Sequence, residues 1–327
     1  MNKPTATIPL RRVIANYIDH WRTLGRLYNN EAWVLGRLCK FIEASNAIDL
    51  DQSCFESWCA SMEHLTPTAR RKAQLIVRKL CLYRQRTEPN CFVPNPLYFT
   101  RYTPYQPPVI VGPGEVAKLL NKIASFPIHP VFPLCNAVVR LSFVLLYTAG
   151  LRRGELVRLT LADVDLERGI LAVRESKFHK TRFLPLSHDA TVEMRAYLQL
   201  RLGPGTDHSP DSTLLGHYTL SGRFTRYTGE GLHNLLSSVL KSAGIRDPQG
   251  RRPRIQDFRH SFAVQALLRW YREGLNVQAQ LPKLSIYMGH VSIVSTAYYL
   301  HWIPDIATAA NDRFEARWGK LLNGEQS

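Results

Sequence analysis

Two arginines, a histidine and a tyrosine could do chemistry together in this chain. Arg152 lies in Thr148-Ala149-Gly150-Leu151-Arg152-Arg153-Gly154-Glu155-Leu156, and Arg259 in Asp257-Phe258-Arg259-His260-Ser261-Phe262-Ala263. His290 follows Met288-Gly289, and Tyr299 closes the pair Tyr298-Tyr299. A guanidinium fork binds phosphate oxygens in bidentate fashion and stays charged at any working pH. A phenol is a weak nucleophile until it is set against a phosphorus made electrophilic by such neighbours. The four side chains therefore suit one task, holding a phosphodiester while a tyrosine oxygen attacks it.

Several elements must position them. The apolar run over residues 134–147 predicts a buried helix that Gly150 ends, so that Arg152 begins the next helix near its positive end, where anions bind well. Residues 169–175 and 181–186, rich in Ile, Val, Leu and Phe, predict two short strands joined by the basic turn Lys177-Phe178-His179-Lys180. Gly289-His290 ends a helix and Ser292 opens another. The rest of this half reads as mostly helical, broken by a polar loop over 203–212 and a basic Pro/Gly stretch over 247–254.

The first hundred residues also read as helical. Ile14, Tyr17, Ile18, Trp21, Leu24, Trp33, Leu35 and Leu38 recur at helical intervals between residues 13 and 42. Thr66-Pro67 starts a helix that runs to about residue 86, with Leu75, Ile76, Leu80 and Leu82 as its apolar stripe. Around that stripe stand Arg70, Arg71, Lys72, Arg78 and Lys79. A solvated basic face is one reading of these cations; contact with nucleic-acid phosphates is the expected one. Then come Pro94, Pro96, Pro104, Pro107, Pro108 and Pro113, which favour an extended, semi-rigid connector. The expected division is residues 1–93, a linker over 94–114, and residues 115–327.

Composition fits that division. A chain of 327 residues can bury two cores. A net charge of +16 and a pI near 9.8 point to a polyanionic partner, of which nucleic acid is the commonest. Residues 1–112 and the remainder are each net basic, as two arms of a clamp would be. The six cysteines form no C-x-x-C pair, which argues against a zinc site; they read as small core residues. Residues 1–20 hold no uninterrupted apolar stretch, and the longest apolar run, 141–149, is too short for a bilayer. The expected location is cytoplasmic and nucleoid-associated.

Residues 113–303 resemble the catalytic domain of the tyrosine recombinases, the phage-type integrases and their transposon relatives. Arg152 falls in that family's Gly-Leu-Arg-x-x-Glu-Leu segment, and Tyr299 lies nine positions after His290, the interval the family uses. The resemblance implies a mainly α fold with a small β-sheet (α+β), a helical N-terminal core-binding domain that clamps DNA, and a catalytic domain. It implies that Tyr299 attacks a DNA phosphate, leaving a 3′-phosphotyrosine and a free 5′ hydroxyl. Arg152, Arg259, His290 and Gln256 would brace the phosphoryl group, and Lys177 would protonate the leaving oxygen. No cofactor or metal is implied. Family spacing selects Arg152 over Arg153, Lys177 over Lys180 and Tyr299 over Tyr298, and gives Glu155 a supporting hydrogen bond.

One position departs from the family. Its pattern is His-x-x-Arg, and this chain has Gln256 before Arg259. An amide can hold a phosphate oxygen but cannot exchange a proton at neutral pH. The expected consequence is a slow enzyme that Gln256→His speeds. His260 points about 100° away from Arg259 on a helix and is expected to pack rather than to substitute. Beyond Tyr299, Ile306, Ala310, Phe314, Trp318 and Leu321 form an apolar stripe that would cap its own domain or, as in the family, dock on a neighbouring protomer. The implied partners are double-stranded DNA and further copies, as a tetramer on paired sites, or related recombinases. Competing readings are a catalytically silent DNA-binding partner, which Gln256 favours, a topoisomerase of similar chemistry, and a metal-dependent nuclease, which would need clustered carboxylates.

Overall fold

The computed structural model describes residues 9–174, 181–203, 206–219 and 221–302, with residues 301 and 302 described as backbone only. The chain divides into two compact units, Met1–Gln106 and Pro107–Ser327.

The first unit holds α1 (Leu10–Thr23), α2 (Asn29–Ala44), α3 (Gln52–Ala60) and α4 (Pro67–Arg84). The periodic stretch over residues 13–42 is two helices, because Gly25 and Tyr28 both adopt positive φ and turn the chain. Leu24, beside that break, is therefore exposed, and so is Trp33 on the outer face of α2. Thr66 caps α4 by accepting from the Ala69 N–H at 3.3 Å, with Pro67 in the first turn. The buried side of α4 is Ala73, Ile76, Val77, Leu80 and Cys81; Leu82 lies outside it and is exposed. Arg84 is buried with both guanidinium nitrogens on the Asp49 carboxylate, at 2.6 and 2.7 Å.

The proline-rich stretch is extended apart from a 3₁₀ turn over Pro96–Tyr98, and several of its residues are held by hydrogen bonds. Its first part belongs to the first unit: Phe99 is buried there and the Thr100 N–H donates to Gln74 Oε1 at 3.0 Å. Its second part belongs to the second unit, where Val109 and Val111 are buried. The Val111 N–H donates to Ser261 Oγ at 2.8 Å, and the Val109 N–H to Asp257 Oδ2 at 3.3 Å. Such bonds are worth about 1 kcal/mol net each, but leaving a buried partner unpaired costs more.

The second unit begins with α5 (Pro113–Ala124), α6 (Cys135–Thr148) and α7 (Arg153–Arg158). Strands β1 (Val164–Asp165), β2 (Ile170–Val173) and β3 (Arg182–Pro185) follow as one antiparallel sheet, with Leu171 opposite Leu184 and Val173 opposite Arg182. Next come α8 (His188–Arg201), the hairpin β4 (Gly216–Tyr218) and β5 (Phe224–Arg226), and α9 (Gly229–Ala243). The sequence predicts a mostly helical region here, and the β4–β5 hairpin departs from that expectation. The hairpin forms because Tyr218 and Phe224 face each other across the strands, ring centroids 5.1 Å apart, and Gly222 takes positive φ in the turn. The last elements among the described residues are α10 (Ile255–Arg272), α11 (Val277–Met288), α12 (Val294–Ala297) and a 3₁₀ turn, Tyr298–Trp302.

Helix α6 is buried all round over residues 141–146 and forms the centre, packed on α5, α8 and α10. Phe143 meets Phe258 of α10 with ring centroids 5.0 Å apart. The fold is mainly helical with small antiparallel sheets, as the sequence predicts. No helix among the described residues is long and apolar enough to cross a membrane. All six cysteines are free thiols, with Cys54 and Cys81 buried.

Candidate active site

The ends of α6 and α11 set the site. Gly150 follows α6 at φ +60°, and a Cβ there would lie 2.6 Å from the Phe262 ring, so only glycine fits. Gly289 caps α11 at φ +65° in the same way. Both ends leave carbonyl oxygens without helical partners, carrying partial negative charge. Arginines take them. Arg259 Nη2 donates to Met288 O at 2.5 Å and its Nη1 to Gly150 O. Arg152 Nη2 donates to Gly289 O at 2.9 Å.

Arg152 is the cap residue before α7, with Arg153 exposed beside it. The expected anion site at that helix end is taken internally, because Glu155 Oε2 accepts the Arg152 N–H at 2.8 Å. Glu155 Oε1 also accepts from Arg152 Nη1 at 2.8 Å. Burial raises the Glu155 pKa, but hydrogen bonds and charge from Arg182, then Arg152, outweigh it and hold the carboxyl at about 2. Arg259 is 3 % exposed; burial and the neighbouring Arg152 charge lower its pKa to about 10, so it stays cationic at neutral pH. Two guanidiniums held this close favour an anion between them.

His290 and Tyr299 complete the cluster. His290 Nδ1 lies 2.8 Å from Thr296 Oγ1, and its ring stacks on Tyr299 at a centroid distance of 6.2 Å. Burial, then Arg259 and Arg152, push its pKa down to about 4, leaving it neutral. Tyr299 is 3 % exposed, and its hydroxyl lies 3.1 Å from His260 Nδ1. His260 was expected merely to pack. It packs on Tyr299 and is also within hydrogen-bond distance of its hydroxyl, and it lies only about 40° round the helix from Gln256, four residues back. The Gln256 side chain is exposed.

Arg182, which the sequence reading passed over, is the other unforeseen member. Its guanidinium pairs with Glu155 at 3.1 and 2.9 Å, and its Nε donates to Tyr287 O at 2.8 Å. Strand alternation carried the signal: Arg182 and Leu184 of β3 point inward while Phe183 points out. Lys177 and the apolar stripe from Ile306 to Leu321 lie outside the described residues. Among the described residues no three His, Cys, Asp or Glu side chains gather as metal ligands would.

On α4, Lys72 and Lys79 are exposed, whereas Arg70, Arg71 and Arg78 are half-buried. Arg71 Nη1 donates to Thr100 O at 3.1 Å and its guanidinium lies over Tyr102, 4.9 Å from the ring centroid. Arg78 donates to Pro94 O. These two arginines therefore also hold the extended segment in place.

A helical unit with an Arg–Arg–His–Tyr cluster at two helix ends defines a class of DNA strand-transfer enzymes, and comparison with known proteins agrees. Residues 115–304 match the phage integrase family, and the chain belongs to that family, the tyrosine recombinases. It is 31 % identical over 307 residues to a protein of Sinorhizobium fredii classed as an integrase/recombinase, spanning 92 % of this chain and 94 % of the relative. It is 26 % identical to the tyrosine recombinase XerD of Vibrio cholerae, over 90 % of this chain and 93 % of that protein. Its fold resembles the integrase of transposon Tn1549, solved with a circular intermediate DNA, at TM-score 0.64 and 18 % identity, over 94 % of this chain and 100 % of the other. Membership places the chain among site-specific recombinases, which bind DNA and cut and rejoin its strands.

Proposed function

We propose that this chain is a site-specific DNA recombinase in which Tyr299 attacks a DNA phosphate to give a 3′-phosphotyrosine and a free 5′ hydroxyl. The observation that carries this reading is the convergence of Arg152 and Arg259 on the carbonyls of residues 150, 288 and 289, with neutral His290 stacked on Tyr299. The arginines would hold two phosphate oxygens and stabilise the charge that grows on them. His290, neutral, would donate one hydrogen bond. Lys177 is proposed to protonate the leaving 5′ oxygen, and Gln256 to add a hydrogen bond to the phosphate. The linkage to tyrosine keeps the energy of the broken bond, so rejoining needs no nucleotide, and the arginines supply the charge that a metal would otherwise provide.

Service to a mobile element is part of the same proposal. Residues 115–327 would carry the chemistry and residues 1–93 would close on the duplex, with recombination proceeding in a tetramer on paired sites or with related recombinases. Nicked duplexes carrying the DNA repeats that flank the gene test the core of this reading. The parent chain and Tyr298→Phe should form covalent adducts that survive denaturation and are indifferent to a chelator, while Tyr299→Phe binds DNA and forms none. Adducts from Tyr299→Phe and none from Tyr298→Phe would move the nucleophile by one residue.

A further inference from the structure

Cleavage by a tyrosine leaves one proton to account for, the one on the phenol. The family pattern places a histidine at position 256, and this chain has an amide there that cannot accept it. One turn further along α10 is a base on nearly the same face. His260 Nδ1 stands 3.1 Å from the Tyr299 oxygen, within reach for direct transfer, with the rings 5.5 Å apart and inclined at 57°. Glu155 is held ionised by two arginines, and His290 has its Nδ1 on Thr296.

We propose that His260 is the proton acceptor for Tyr299, performing from position 260 the duty that the family pattern assigns to position 256. The inference rests on the reading of Tyr299 as nucleophile. In the step, the neutral His260 tautomer carrying hydrogen on Nε2 takes the phenol proton onto Nδ1 as the Tyr299 oxygen bonds to phosphorus. The P–O5′ bond breaks, and the departing oxygen collects a proton from Lys177 or solvent. Rejoining reverses each transfer.

The surroundings keep His260 in its accepting form. Burial lowers its pKa; Asp257 on the same helix opposes this, while Arg254 and Arg259 reinforce it. His290 and Tyr299 face it from the far side of the site. The amide at 256 is then tolerable, because the acceptor has moved rather than vanished.

Single-turnover adduct formation across a pH series decides the matter, using the parent, His260→Asn, His260→Gln, Gln256→His and the double variant Gln256→His/His260→Asn. Both His260 variants should bind DNA as the parent does yet cleave about 100-fold more slowly or worse. Both should also lose the limb of the profile that rises with pH. A substrate with a 5′-bridging sulfur, whose leaving group needs no proton, should leave that deficit in place. Gln256→His should raise the rate of His260→Asn by a larger factor than it raises the parent, since the two positions would share one duty. Parent-like cleavage by His260→Gln would mean that the ring only holds the hydroxyl, and would overturn the proposal. Erasure of the deficit by the sulfur substrate would move His260 to the leaving group and overturn it equally. Loss of the adduct in Tyr299→Phe alongside full-rate His260→Asn sinks this inference alone; adducts from Tyr299→Phe sink the nucleophile assignment as well.

Discussion

Arg182 and Glu155 form a two-point ion pair inside the protein, with their side chains only 8 % and 1 % exposed. The second oxygen partner of that carboxylate is Arg152, so a residue of β3 bears on the pose of Arg152 through one shared anion. Removing one member of a buried pair strands the other charge and is expected to cost about 3–5 kcal/mol. Glu155→Gln should therefore unfold at lower urea concentration than the parent.

The same carboxylate gives that loss a pH signature. Its folded pKa, about 2, lies below the ordinary value of 4.5, so its contribution is complete above the ordinary value and disappears as pH falls towards 2. The stability gap between the parent and Glu155→Gln should shrink steadily below about pH 4.5. A gap that stays constant down to pH 3 would mean that the pair adds nothing to the charged form.

Gly289→Ala tests the same device from the other side. A Cβ there would sit 2.8 Å from Arg182 Nη1, on a backbone at φ +65°. The left-handed conformation alone costs a non-glycine residue about 1–2 kcal/mol. Because Arg182 must also retreat from Glu155, cleavage should fall by more than the stability loss explains when measured at a temperature where the variant is fully folded. Full cleavage by a folded Gly289→Ala would show that the pose of Arg152 does not depend on Arg182.

Much of this arrangement can be read from the sequence, and what cannot has physical reasons. Glycines 150 and 289 mark helix ends, and the residues beside them converge because those ends expose carbonyls that arginines fill. Arg182 is hidden from sequence because an arginine in a strand next to a basic turn normally faces water; only the inward register of Leu184 betrays it. The contact of His260 with Tyr299 is hidden because it depends on where Tyr299 comes to rest, 39 residues away. The break between α1 and α2 turns on the backbone angles of Gly25 and Tyr28, which side-chain periodicity does not encode.

The basic face of α4 should separate into two kinds of residue. Lys72 and Lys79 are exposed, so changing each to alanine should lower the slope of log affinity against log salt by about one unit, whatever the duplex, with unfolding unaffected. Arg71→Ala and Arg78→Ala should also lower the melting temperature, because those guanidiniums hold residues 94–100. Salt slopes unchanged in all four variants would leave this face pointing to solvent.

His290 offers a direct measure of how strongly the site attracts an anion. Without DNA its pKa is about 4, lowered first by burial and then by the Arg259 and Arg152 charges. Since the folded value lies below the ordinary one, histidine binds its proton less readily in the folded chain, and this contribution to stability is lost as pH falls from about 6.5 towards 4. A phosphate seated between the arginines would neutralise their repulsion and add attraction of its own, so the pKa should rise on binding DNA. Titration of the His290 ring by NMR in Tyr299→Phe, free and bound to duplex, reads the shift without cleavage intervening. By linkage, binding should then strengthen as pH falls through the window between the two values, and His290→Asn should lose that dependence. An identical His290 titration with and without DNA would place the phosphate away from Arg152 and Arg259, and the proposed site with it.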